Sequence, residues 1–275
     1  MTLRIHHLNC GTMCPVCERL INGQGSWTRR ARMVCHCLLI ETNEGLVLVD
    51  TGLGTADVAT PRERLGRPFI SLTQPRLEHQ ETALAQIKAL GFSARDVRHI
   101  VPTHLDLDHA GGLSDFPEAT VHIFKPELDA AMHPSWREKG RYSRPQFAHR
   151  PKWQTHEVQG DSWFGFQSIR AIPDLSTDVL IVPLQGHTRG HAGIAVKDGD
   201  KWLLHCGDAY FHHGTLQSNP EIPGGIAMFE RLVQMDAAQR IHNQTRLREL
   251  AAKHSDEVNI FCAHDPVEFD RQAVA

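Results

Sequence analysis

The sequence predicts a layered α/β domain. Three observations predict it. Short apolar runs such as "CLLI" and "LVLV" arrive in groups, with helical patterns between and after them. The chain of 275 residues with 41% hydrophobic content is long enough for one sizeable core, and no internal repeat or low-complexity linker divides it. Metal-capable side chains recur just beyond the ends of the strand-like runs, as a sheet-supported site requires.

Each element has a local reason. "LRIHHL" alternates as a short strand, with a weakly set register. "MVCHCLLIET" and "GLVLVDTG" form a hairpin turned by "NEG", in which Asn43 and Gly45 supply the turn. "HQETALAQIKALG" places Ala83, Leu84, Ile87 and Leu90 at helical spacing and closes on Gly91. Ser93 then caps a short turn before the strand "VRHIV". "ATVHIF" is a strand and "KPELDAAM" a helix with Pro126 in its first turn. Residues 133–153 are irregular and rich in Arg, Pro and Trp. "VLIVPLQG", "AGIAVKDGD" and "KWLLHCGD" are three further strands. "AAQRIHNQTRLRELAAKH" is a helix, and "VNIFCAHD" is the last strand.

A net charge of −3 offers no global field for nucleic acid. No apolar run reaches the roughly 18–20 residues of a membrane span, and none near the start suits a signal peptide. A cytoplasmic location is therefore expected, with the seven cysteines as thiols. Cys14, Cys17, Cys35 and Cys37 form CxxC…CxC, which superficially suggests a structural zinc. The spacing of the second pair is wrong for common zinc knuckles, and Cys35 and Cys37 share one face of a strand, so buried thiols are the preferred reading.

Nineteen histidines are the unusual component. "THLDLDHAGG" packs His104, Asp106, Asp108 and His109 into six positions at the end of a strand. In an extended chain, side chains two apart face the same way at intervals of about 6.6–6.8 Å, too wide for one ion unless the chain curls. The "AGG" that follows lets it curl. The economical reading is two metals, with His104 and Asp106 toward one and Asp108 and His109 toward the other. Further ligands must then come from other strand ends: His187 and His191 in "QGHTRGHAG", Asp208 in "LLHCGDAY", and His264 in "IFCAHDP".

These landmarks, "LVDTG", "HLDLDHAGG", "GHTRGH", "GDAY" and "AHD", resemble in order and spacing those of the metallo-β-lactamase-fold hydrolases, most closely the acyl-homoserine lactonase-like branch. The resemblance covers residues 3 to 265. It implies a four-layer αββα sandwich formed as a single domain over 1–275, with a basic insertion or lid at about 133–158. It also implies two divalent metal ions, zinc first. His104, Asp106 and His187 would bind the first, Asp108, His109 and His264 the second, with Asp208 bridging. Asp50 would support the ligands from behind, and His191 would pack behind His187 without binding metal. Asp106 departs from the family motif, which usually has histidine there. A carboxylate is harder and anionic, which keeps iron or manganese open.

The resemblance further implies a hydrolase in which a hydroxide between the metals attacks a lactone, ester or related acyl substrate, with Asp208 and Tyr210 as catalytic residues. Tyr210, two residues beyond Asp208, would act as an oxyanion partner. The alternatives are an iron-dependent redox enzyme, flavodiiron-like or sulfur dioxygenase-like, and a phosphodiesterase of the same superfamily. The expected partner is a small molecule rather than nucleic acid or a membrane, and a homodimer stays open. The basic stretch 137–152, with Arg141 and Arg144, would favour an anionic substrate. Met13 and Trp27, in the loop 11–27, are candidates to line an apolar acyl pocket.

Overall fold

The structure, a computed structural model, describes residues 3–273. Its first sheet has six strands in the order of the chain: β1 (Arg4–Asn9), β2 (His36–Thr42), β3 (Gly45–Val49), β4 (Val97–Val101), β5 (Thr120–Phe124) and β6 (Lys152–His156). The first three strands are antiparallel and the next pairings are parallel. A two-stranded ribbon follows, β7 (Ser162–Trp163) with β8 (Phe166–Gln167). The second sheet adds β9 (Ile169–Arg170), β10 (Val179–Pro183), β11 (Ala192–Asp198), β12 (Lys201–His205) and β13 (Val258–Phe261). Its order is β13-β12-β11-β10-β9, with only β12 and β13 parallel.

The apolar runs are continuous because both faces of these strands are covered. On β2, Leu38 and Ile40 point into the layer between the sheets, where they meet Val47 and Val49 of β3 and Ile181, Ile194 and Val196 of the second sheet. Cys37 and Leu39 point the other way, into a cluster with Ile87 of the helix Ala83–Ala89. The outer face of the second sheet is covered by Leu247 and Leu250 of the helix Ala237–Lys253, whose first turn is capped by the Asp236 carboxylate accepting from the Gln239 N–H at 3.0 Å. Helix, sheet, sheet and helix are therefore stacked, as an αββα sandwich requires.

The hairpin, the strands 97–101 and 120–124, and the helices after residues 82, 124 and 236 stand where the sequence places them. Residues 133–153 are not wholly irregular: β6 completes the first sheet and two short 3-10 turns precede it. Three short helices, Thr55–Ala59, Pro61–Arg64 and Gly66–Thr73, and the helix Gly224–Val233 had no clear sequence signal. Among the described residues, no helix is long and apolar enough to cross a membrane.

Candidate metal centre

The candidate ligands come from the carboxyl ends of strands in both sheets, the edge where open α/β sheets present their chemistry. After β4 the chain curls through residues 103–112 on a bed of close backbone contacts. A Cβ added at Gly111 would lie 1.9 Å from Asp57 Oδ2 and 2.7 Å from the Gly52 carbonyl oxygen. Glycine is needed there for close approach, not for a left-handed backbone. Asp50, just past β3, does take a left-handed conformation at φ 55°, one that short polar residues tolerate.

His104, Asp106, Asp108, His109, His187, Asp208 and His264 all converge. Asp208 stands in the middle. Its Oδ2 lies 3.7 Å from His104 Nε2 and 3.4 Å from His187 Nε2, while its Oδ1 lies 3.3 Å from His109 Nε2 and 3.0 Å from His264 Nε2. One carboxylate thus faces two groups of candidate ligands. Asp106 Oδ2 joins the first group, 3.0 Å from His187 Nε2, and Asp108 Oδ2 joins the second, 3.5 Å from His264 Nε2.

The imidazoles are oriented from behind. His109 Nδ1 donates to Asp50 at 2.9 Å, His104 Nδ1 to Thr103 Oγ1 at 2.9 Å, and His264 Nδ1 to the Val34 carbonyl at 2.6 Å. Each acceptor fixes the tautomer, leaving Nε2 with its lone pair toward the centre. Asp50 itself accepts from the Thr103 N–H and hydroxyl. His191 is different. Its Nδ1 donates to the Leu184 carbonyl and its Nε2 accepts from the Asp208 N–H at 2.9 Å. With both nitrogens used, it orients Asp208 and binds nothing else.

This centre is built for cations. His104 Nε2 and Asp106 Oδ1 are buried without a hydrogen-bond partner, an arrangement that otherwise carries a desolvation cost. Asp106, Asp108, Asp208 and Asp50 put four carboxylates close together, and among the described residues Arg141 is the one permanently cationic side chain bound to them. Burial pulls His109 and His264 toward the neutral form, yet Asp208 outweighs it in both, aided by Asp50 and Asp108 at His109 and by Asp108 at His264, and holds both pKa values up. Burial opposes ionisation of Asp208, but His264, His109 and His187 keep it well below the usual carboxylate range. The same carboxylates that favour protonation of these imidazoles would favour divalent cations at their Nε2 atoms.

Tyr210 is the correction. It is fully buried, in a cluster with Leu247 and Cys262 on the outer face of the second sheet, and its hydroxyl donates to the Glu268 carboxylate at 3.1 Å. Successive side chains after β12 diverge, so the turn that directs Asp208 to the centre sends Tyr210 into the core. It is not among the groups facing the cleft, and the oxyanion role expected for it is withdrawn. Trp27 likewise stays at the surface, 63% exposed, whereas Met13 does line the cleft. Cys37 is buried in the sheet, but Cys35 lies beside Asp108 and His264, its thiol kept protonated chiefly by burial. Among the described residues, the groups that could hold a metal do not include Cys14 or Cys17.

Three residues of the centre carried no clear signal in the sequence. Glu127 is completely buried and accepts from the Leu105 N–H, the Thr188 hydroxyl and the Gly190 N–H, tying the two histidine loops together. In sequence it is one more acidic residue in a helix's first turn. Asp57 and Arg64 form a buried pair at 2.6 Å, and Arg64 also donates to the carbonyls of Gly111 and Pro145. These bonds fasten the ligand loop to the basic segment.

Over the centre lies a cleft of about 510 Å³. Its floor is Asp106, Asp108, His187, Asp208 and His264, and its walls are apolar, including Met13, Phe69, Phe211, Ile226, Phe229 and Leu232. Arg137 and Arg141 stand at its polar side.

The profile of the Metallo-beta-lactamase superfamily matches residues 30–253. A protein described as probable metallo-hydrolase Rv2300c of Mycobacterium tuberculosis is 45% identical over 265 residues, covering 96% of this chain and 81% of its own length. The N-acyl homoserine lactonase AttM of Rhizobium radiobacter is 29% identical over 270 residues, covering 96% and 94%. A solved N-acyl homoserine lactone hydrolase, with the product N-hexanoyl-L-homoserine at its catalytic metal centre, superposes with a TM-score of 0.71 at 20% identity, covering 98% and 97% of the two chains. The chain belongs to the metallo-beta-lactamase superfamily and is a metal-dependent hydrolase.

Proposed function

We propose that this chain opens the ring of a lactone, or cleaves a related ester, carrying an apolar acyl chain, at a dinuclear centre. The observation that carries the reading is Asp208, whose two oxygens face two separate histidine groups on the floor of an apolar cleft. His104, Asp106 and His187 would hold one cation and Asp108, His109 and His264 the other, with Asp208 shared. Divalent cations there, zinc first, would activate water and polarise the acyl oxygen.

The chain's own residues do the rest. The apolar wall of Ile226, Phe229 and Leu232 seats the acyl chain and excludes bulk water from the reacting ester. Water's oxygen joins the acyl carbon, the ring C–O bond breaks, and one proton must reach the leaving alkoxide oxygen. Asp208 and Asp108 line the floor and are the carboxylates placed to carry that proton. His191 and Asp50 keep Asp208 and His109 in register throughout.

The relatives named as N-acyl homoserine lactonases support this substrate class. The test is a panel of N-acyl homoserine lactones from butanoyl to decanoyl, beside γ-butyrolactone and bis(p-nitrophenyl) phosphate. Each methylene that enters the apolar wall contributes up to about 0.8 kcal/mol, so kcat/KM should rise at least about tenfold along the acyl series. A flat series, or preference for the phosphodiester, would count against the proposal.

A further inference from the structure

We propose that Arg141 guards the first cation position: its guanidinium holds two ligand atoms that a cation there needs, so this position is the weaker of the two. The inference rests on the dinuclear reading given above. Arg141 belongs to the basic stretch 137–152, yet its side chain is only 11% exposed and turns inward. Nη1 donates to Asp106 Oδ2 at 2.5 Å and lies 2.9 Å from His187 Nε2. Nη2 donates to the Val233 carbonyl, at the end of the helix that walls the cleft.

His187 has one lone pair at Nε2. Arg141 Nη1 stands 2.9 Å from that nitrogen, within reach of the lone pair. A guanidinium N–H and a divalent cation cannot both take it. Asp106 is divided in the same way: Oδ2 is capped by Arg141, while Oδ1 is buried without a partner. The second position meets no such competitor, since among the described residues no Lys or Arg pairs with Asp108, His109 or His264. At an effective dielectric of about 20, a guanidinium about 5 Å from a divalent cation changes its binding constant by more than tenfold.

The proposal also gives the departure at residue 106 a physical purpose. Neutral histidine would offer a guanidinium no anionic anchor, whereas a carboxylate holds it at the rim of the first position. Filling that position then requires Arg141 to give up His187 and move toward the cleft.

The experiment is calorimetric zinc titration of metal-free protein, comparing wild type with R141M, R141Q, R141K and the double variant D106H/R141M. Melting curves of the metal-free forms establish folding, and R141Q serves if R141M does not fold. The wild type should bind two equivalents in a tight and a weak step. R141M and R141Q should tighten the weak step at least tenfold and leave the tight step within twofold, while R141K, which keeps the charge, should stay weak. A wild type that takes one equivalent beside an R141M that takes two supports the guard equally. If the weak step is unchanged in R141M and R141Q, or the wild type already binds two ions with equal affinity, the guard is wrong and the dinuclear centre stands. If no variant, D106H/R141M included, takes a second equivalent, the dinuclear reading itself fails.

Discussion

At the scale of single residues, direction decides role. Asp208 and Tyr210 are two positions apart, yet one faces the cleft and the other donates to Glu268 inside the core. Tyr210→Phe should therefore leave kcat on the preferred lactone within about twofold, while removing a hydrogen bond to a buried carboxylate lowers stability by about 1–3 kcal/mol in urea unfolding. A large loss of kcat with unchanged stability would return the tyrosine to the chemistry. The ligand set was legible because its members belong to few residue types and fall at strand ends. The side chains that steady it, Glu127, Thr103 and Arg141, were not, because nothing in a helical Glu or a loop Arg tells whether it points to solvent or inward. Trp27 shows the opposite error: a large aromatic near the right loop that stays on the surface.

At the scale of elements, the ligand loop 103–112 depends on what lies beneath it. Gly111→Ala would drive a methyl group into Asp57 and the Gly52 carbonyl. We expect a loss of about 1–3 kcal/mol in thermal or chemical unfolding. Gly224→Ala, where an added Cβ meets nothing within 4 Å, should stay within about 0.5 kcal/mol. Equal effects at both positions would show that the close approach under the loop is unimportant. Most strands of both sheets were legible from period and length, because sheets buried on both faces leave near-continuous apolar runs; the largely exposed β6 and the two-residue β9 were not. The helices of residues 55–73 were not, since they are short and their buried contacts, such as Asp57 with Arg64, are polar. The helix Gly224–Val233 is amphipathic, but it opens with two glycines that obscure its start, and its Met228 and Leu232, 72% and 70% exposed, turn to the cleft rather than to a core.

At the scale of the whole molecule, histidines outside the centre couple stability to pH. Burial first, then His99 and His156, lowers the pKa of His122 to about 3, and burial with His205 and His6 lowers His7 to about 4. A histidine depressed in the folded state binds its proton more readily when unfolded. Its contribution is present above the ordinary value of 6.5 and is lost as pH falls from 6.5 toward 3. Metal-free protein should lose on the order of 1–2 kcal/mol per such histidine between pH 7.5 and pH 5, and His122→Gln should flatten part of that slope. An unchanged slope in the variant would remove His122 as a contributor. The layered arrangement serves the centre by bringing candidate ligands from four distant stretches of chain to one edge. The direct measurement is anomalous X-ray diffraction at the zinc edge from crystals soaked in saturating zinc. If these ligands converge on two ions, two peaks are expected, one among His104, His187 and Asp208 Oδ2 and the other among His109, His264 and Asp208 Oδ1. No peak at either position, or zinc bound only elsewhere on the molecule, would contradict that convergence.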